Sequence, residues 1–71
     1  MANIKLRVSG MTGGNCQAKV EMALRTTTGV YSAVVDFVNG AAEVDFDDDA
    51  ATTAELLLAI ERVGYGAKLA G

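Results

Sequence analysis

The spacing of apolar residues in this chain switches from a period of two to a period of 3.6 and back, twice, within 71 residues. A period of two is typical of a strand with one buried face, whereas a period of 3.6 is typical of an amphipathic helix. The pattern therefore predicts the order strand, helix, strand, strand, helix, strand. This order is typical of the ferredoxin-like βαββαβ sandwich, an α+β fold in which two helices cover one face of a four-stranded antiparallel sheet.

The first strand and the first helix are separated by a glycine-containing loop. Apolar and basic residues alternate over residues 4–8, which predicts a half-buried strand. A loop at Ser9 to Gly14 precedes a helix predicted from Asn15 to about Thr26. Four residues recur at helical spacing and share one face of this helix: Cys16, Val20, Ala23 and Leu24.

The middle of the chain predicts a β-hairpin. Val30 to Phe37 is rich in β-branched and aromatic residues, and polar and apolar residues alternate over Ala41 to Phe46. Asn39-Gly40 between them is a strong signal for a tight turn. Two antiparallel strands are therefore expected here.

The last third predicts a helix and a short strand. Thr52 and Glu55 have the spacing of a capping box, which marks the start of a helix that stops at Gly64. The apolar stripe of this helix is Leu56, Ala59, Ile60 and Val63. Tyr65 to Leu69 is predicted as the final strand.

With both helices on one sheet face, the other face is expected to be open to solvent. Lys5 and Arg7 on the first strand are expected to lie across from Glu43 and Asp45 on the third. Exposed pairs of this kind contribute only about 0.2 to 1 kcal/mol each.

Composition limits the possible functions. Residues 1–71 are long enough for one small domain, and 51% of them are hydrophobic. A single cysteine cannot form an internal disulfide, so a reducing, cytoplasmic location is expected. The net charge of −3 argues against a nucleic-acid partner. No segment has the length of a transmembrane helix, and the first residues lack the features of a signal peptide.

The only cysteine lies in the segment Gly10-Met11-Thr12-Gly13-Gly14-Asn15-Cys16, at a predicted strand-to-helix turn. Unpaired N–H groups at a helix start favour a thiolate over a thiol, so the pKa of Cys16 is expected to be low. Thiolates select soft ions such as Cu(I). This turn is therefore the candidate metal site, and Cys16 is its candidate ligand.

The segment resembles the G-M-T-C-x-x-C loop of heavy-metal-associated domains, which are found in copper chaperones, metal-pumping P-type ATPases and mercury-resistance proteins. The resemblance covers nearly the whole chain and is carried by Gly10-Met11-Thr12, Cys16, Gly29-Val30, Asn39-Gly40 and Gly64-Tyr65. It implies a fold of the type predicted above. It also implies that two loop cysteines hold Cu(I) and pass it to a partner by ligand exchange.

Only the second of those two cysteines is present here, as Cys16, because Gly13 occupies the first position. A second thiolate in the same loop has an effective concentration in roughly the millimolar range or above. Recruiting that thiolate from a molecule at micromolar concentration sacrifices a factor on the order of a thousand, or about 4 kcal/mol. The chain is therefore expected to bind metal weakly alone, and better as a metal-bridged homodimer or with an external thiol.

The resemblance also assigns two neighbours of the site. Met11 is expected to pack inward and to support the loop. Tyr65 is expected to lie beside the metal loop and to shield the thiolate, or to be a tyrosine at the edge of the core.

Three functions remain open from the sequence. The first is a Cu(I) binding and transfer module whose partner is a domain of a metal-transporting ATPase. The second is a Hg(II)-binding amino-terminal domain of a mercuric reductase, its parent metal-handling enzyme, which residues 30–35 and 64–69 also resemble. The third is a degenerate domain, or an altered sequence, that keeps the fold for protein contact.

Two other functions, calcium binding and catalysis, are disfavoured. Asp47-Asp48-Asp49 lacks the ligand spacing of a calcium loop and is expected to be a solvated turn. The chain contains no histidine, so a Cys/His or Ser/His catalytic pair is impossible and no enzymatic activity is expected.

Overall fold

The computed structural model describes residues 2–70 and has the element order predicted from the sequence. The strands are β1 Ala2–Ser9, β2 Val30–Asp36, β3 Ala41–Phe46 and β4 Gly66–Leu69, and the helices are α1 Gly14–Arg25 and α2 Thr53–Arg62. The strands form one antiparallel sheet in the order β2-β3-β1-β4. The predicted α+β ferredoxin-like fold is confirmed, with element ends displaced by one or two residues. Met1 and Gly71, the ends of the expected domain, lie outside the described residues.

The core lies between the sheet and the two helices. The largest fully buried side chains come from β1, β3, α1 and α2: Leu6, Leu24, Leu56, Ile60, Val20 and Val44. Burying one such side chain contributes roughly 1.5 to 3 kcal/mol. The helical stripes predicted from the sequence supply four of the six, which places both helices on the same sheet face.

Side-chain hydrogen bonds stabilise the start of α2 and the end of α1. The Thr52 hydroxyl accepts the N–H of Glu55 at 3.2 Å, which is one of the two bonds of a capping box. At the carboxyl end of α1, the Thr26 hydroxyl donates to the Met22 carbonyl at 2.9 Å. The Thr27 hydroxyl donates to the Ala23 carbonyl at the same distance. The Met22 carbonyl also accepts the backbone N–H of Thr26 at 3.0 Å, whereas the Ala23 carbonyl is satisfied by the threonine hydroxyls.

On the open sheet face, two of the four charged residues named in the sequence analysis have cross-strand partners other than those expected. Lys5 lies opposite Glu43 as predicted, but Arg7 lies opposite Ala41, and Asp45 lies opposite Asn3. Antiparallel strands run in opposite directions, so a residue two positions later on β1 must face one two positions earlier on β3. The Asn3 amide donates to the Asp45 carboxylate at 2.6 Å.

Asp47, Asp48 and Asp49 lie in the turn between β3 and α2, and their carboxylate oxygens are within 4.8 Å of one another. The Asp47 carboxylate accepts the backbone N–H of Asp49 at 2.9 Å. This is the turn expected from the sequence. Among residues 2–70, no helix has the length and apolar character needed to cross a membrane.

Candidate metal centre

The loop between β1 and α1 lies next to the residue that precedes β4. Gly10, at the start of the loop, has φ +92°, a backbone conformation that favours glycine. A Cβ atom built on Gly10 would lie 3.5 Å from Cδ1 of Tyr65. The chain therefore turns against the Tyr65 ring before it enters α1.

Cys16 is the third residue of α1 and is half-buried. Its backbone N–H donates to the Gly13 carbonyl at 3.1 Å, which is one of the first hydrogen bonds of the helix. The Thr12 hydroxyl lies 3.7 Å from the Cys16 Sγ. The thiol is thus held at the junction of the loop and the helix, where the sequence analysis placed it.

Hydrogen-bond donors around the thiol lower the pKa of Cys16 to about 7. The largest contribution comes from the backbone N–H of Thr12, followed by the Tyr65 hydroxyl and the Thr12 hydroxyl, while partial burial acts in the opposite direction. The Gly13 backbone contributes least. The low pKa agrees with the sequence prediction, but its main source is the loop before α1, and the role of Thr12 as a donor to the thiol was not predicted.

The two neighbours implied by the resemblance lie against the core. Met11 and Tyr65 are partly buried and pack against the core cluster. Because the Tyr65 hydroxyl is hydrogen-bonded to Cys16, the pKa of Tyr65 is raised. Tyr65 is thus a donor to the thiolate as well as a tyrosine at the core edge.

Gly13 lies immediately before α1 in an extended conformation, with φ −179° and ψ −175°. Any residue can adopt this conformation. A Cβ atom on Gly13 would have no other atom within 4 Å, apart from its chain neighbours. Position 13 therefore has room for a side chain.

Alkylation of Cys16 should follow a pH profile with its midpoint near 7, compared with about 8.5 for a free cysteine. Only the thiolate reacts, so the rate should rise with pH through the pKa and then level off. Tyr65→Phe removes one donor to the thiolate and should move the midpoint to higher pH. Tyr31→Phe, at an exposed tyrosine, is the matched control and should leave it unchanged. Equal midpoints in both variants would contradict the hydrogen bond from Tyr65 to the Cys16 thiolate.

The structure thus combines an α+β sandwich with a thiol of lowered pKa in the first turn of its first helix, and thiolates favour soft metal ions. Residues 5–66 match the model of the heavy-metal-associated domain. The chain belongs to this family.

Relatives with known roles include copper-handling proteins. The copper chaperone CopZ of Staphylococcus aureus is 42% identical over 60 residues, which are 84% of this chain and 88% of CopZ. The probable copper-importing P-type ATPase A of Enterococcus hirae is 40% identical over 62 residues, 87% of this chain and 8% of the ATPase. A crystal structure of a copper-binding domain from HMA7, a P-type ATPase, superposes with a TM-score of 0.98 at 32% identity, covering 100% of this chain and 96% of that domain.

The chain is thus a heavy-metal-associated domain, and it is similar to a copper chaperone and to part of a probable copper-importing ATPase. Copper chaperones carry metal and are not enzymes, so the sequence prediction that the chain is not an enzyme is confirmed.

Proposed function

We propose that this chain carries Cu(I) as cargo in the cytoplasm, as a single domain over residues 1–71, and that Cys16 is its metal ligand. The observation that carries the proposal is the thiol of Cys16, whose pKa is lowered to about 7 by donors from Thr12 and Tyr65. At neutral pH a large fraction of this thiol is ionised, and the thiolate is the form that binds metal. Soft thiolates favour Cu(I) over harder ions.

The second ligand for the ion comes from outside the loop in this proposal. Cys16 is the only cysteine of the chain, and Met11 packs against the core. A second copy of the chain, a small external thiol or the partner protein then supplies the other thiolate. The single thiolate suits delivery, because a partner with two thiolates in one loop holds the ion more tightly by a factor on the order of a thousand. A copper-binding domain of a P-type ATPase is such a partner.

Cu(I) binding should be concentration-dependent and should produce dimers, because two Cys16 thiolates complete a site that one chain cannot form. Anaerobic titration followed by analytical ultracentrifugation should detect metal-dependent dimers that disappear in Cys16→Ser. Tight one-to-one binding by a monomer, without added thiol, would contradict this scheme and direct attention to Met11 or Tyr65.

Hg(II) is the competing cargo, since it also takes thiolate ligands. A parallel titration with Cu(I) and Hg(II) against the same competing thiol, with wild type and Cys16→Ser, ranks the two ions. A preference for Hg(II) would favour a domain of a mercuric reductase. Equal and weak binding of both ions by wild type and Cys16→Ser would favour a domain that only contacts other proteins.

A further inference from the structure

The open face of the sheet, on the side away from the helices, is divided into an acidic half and a basic half. Its acidic side chains lie on β2 and β3, and its basic side chains lie on β1 and β4. The acidic residues are Asp36, Glu43 and Asp45, and the basic residues are Lys5, Arg7 and Lys68. The boundary between the halves runs between β3 and β1, along the middle of the sheet.

The strand register arranges these residues in rows across the sheet. One row contains Asp36, Ala41, Arg7 and Lys68, in the order β2-β3-β1-β4. The next row contains Val34, Glu43 and Lys5 on the first three strands. Ala70, just beyond β4, ends this second row, because its N–H donates to the Lys5 carbonyl at 3.0 Å.

In both of these rows the charge changes from negative to positive at the midline. The first row has an acidic residue at its β2 end and a basic residue at its β4 end. In the second row, Glu43 and Lys5 lie on either side of the midline, and both ends of the row are apolar. Neighbouring charges within the face do not form close ion pairs. Within residues 2–70 the one ion pair within 4.0 Å joins Glu21 and Arg25, both on α1.

These rows are self-complementary under a two-fold axis that runs parallel to the strands above the midline. Such an axis places β3 of one copy over β1 of the other, and β2 over β4, while each residue stays in its row. Glu43 then lies over Lys5 of the second copy, Asp36 over its Lys68, and Val34 over its Ala70. Each contact occurs twice, as in any isologous interface.

A shallow depression of about 490 Å³ lies on this face across the midline, and it is lined by Asp36, Ala41 and Glu43 on one side and by Lys5 and Arg7 on the other. The two-fold axis places Arg7 of the second copy over Ala41. The small Ala41 side chain leaves room for the guanidinium, and the Glu43 carboxylate beside it is a suitable hydrogen-bond acceptor. The Asp36 carboxylate already accepts hydrogen bonds from Val38 and Asn39, so it contributes its charge.

We infer that the open sheet face binds a second copy of this chain, face to face, in a metal-independent dimer with two-fold symmetry. Packed sheets of this kind lie about 10 Å apart with their strands nearly aligned. The contact is dominated by exposed charges, so it is weak and sensitive to salt. It lies on the face opposite the helices and does not use Cys16.

The test is sedimentation equilibrium of the metal-free full chain, under reducing conditions, at low salt and at about 0.5 M salt. Association should be at least tenfold weaker at high salt, because screening shortens the range of the charges. Lys5→Glu makes the open face largely acidic, and Glu43→Lys makes it largely basic. Each variant alone should be monomeric, whereas an equimolar mixture should form heterodimers more tightly than wild type forms homodimers.

Matched controls separate this effect from net charge and from folding. Lys19→Glu and Glu61→Lys make the same charge changes on exposed helix positions and should associate like wild type. Arg7→Ala introduces no like-charge neighbour, and it should weaken association at least fivefold. Thermal unfolding verifies that each variant is folded.

Two results would overturn the inference: a wild type that stays monomeric at millimolar concentration and low salt, or a Glu43→Lys variant that associates like wild type. Cys16→Ser should keep the metal-independent dimer and lose the Cu(I)-dependent dimer. Failure of the sheet-face proposal is therefore distinguishable from failure of the proposed function.

Discussion

Gly13→Cys should raise the affinity for Cu(I) about a thousandfold, because the second thiolate then belongs to the same loop as Cys16. The extended backbone of Gly13 accepts any side chain, and its Cβ would meet no other atom within 4 Å. The Gly13 carbonyl accepts the N–H groups of Cys16 and Gln17, and these backbone bonds do not depend on the side chain. Competition with a chelator of known Cu(I) affinity measures the gain.

Gly13→Ser is the matched control, since it adds a side chain of similar size without a soft ligand. It should leave Cu(I) affinity near that of wild type. Gly13→Cys should also bind as a monomer, so metal-dependent dimers should decline. A gain of less than about tenfold, roughly 1.4 kcal/mol, would mean that the two thiols cannot reach one ion. The domain would then be better explained as a protein-contact module.

The fold could be predicted because local signals and the core agree. The stripe from Leu56 to Ile60 follows the Thr52 N-cap bond that the sequence predicted, and both residues are fully buried. The hairpin predicted from Asn39-Gly40 is also present, with both residues in the loop between β2 and β3. Signals of this kind come from neighbours in sequence, so a single chain displays them directly.

The site and the open face were only partly predictable because they depend on contacts between distant residues. The position of Cys16 followed from the sequence, but the donors that lower its pKa come from the Thr12 backbone and from Tyr65, which is 49 positions after Cys16. Likewise, alternation placed Arg7 on the open face, but only the strand register put it opposite Ala41. That register creates the self-complementary rows.

Gly29→Ala should lower the free energy of unfolding by about 2 to 5 kcal/mol, from a left-handed backbone and from crowding. Gly29 has φ +93°, and an added Cβ would lie 2.9 Å from the Cβ of Ala50. Its carbonyl also accepts the N–H of Asp47 at 2.7 Å, which ties the end of α1 to the turn before α2. The methyl group therefore cannot be accommodated unless this junction opens. Urea unfolding followed by circular dichroism measures the loss.

Gly14→Ala is the matched control, because Gly14 lies in α1 and its added Cβ would meet nothing within 4 Å. Alanine is the better helix former by about 1 kcal/mol in a helix interior, so this variant should be as stable as wild type or more so. The free energy of unfolding of a native protein is only about 5 to 15 kcal/mol, so Gly29→Ala should remove a large part of it. If the free energy of unfolding of Gly29→Ala lies within about 0.5 kcal/mol of the wild-type value, the Gly29 junction does not hold the two helices in place over the sheet.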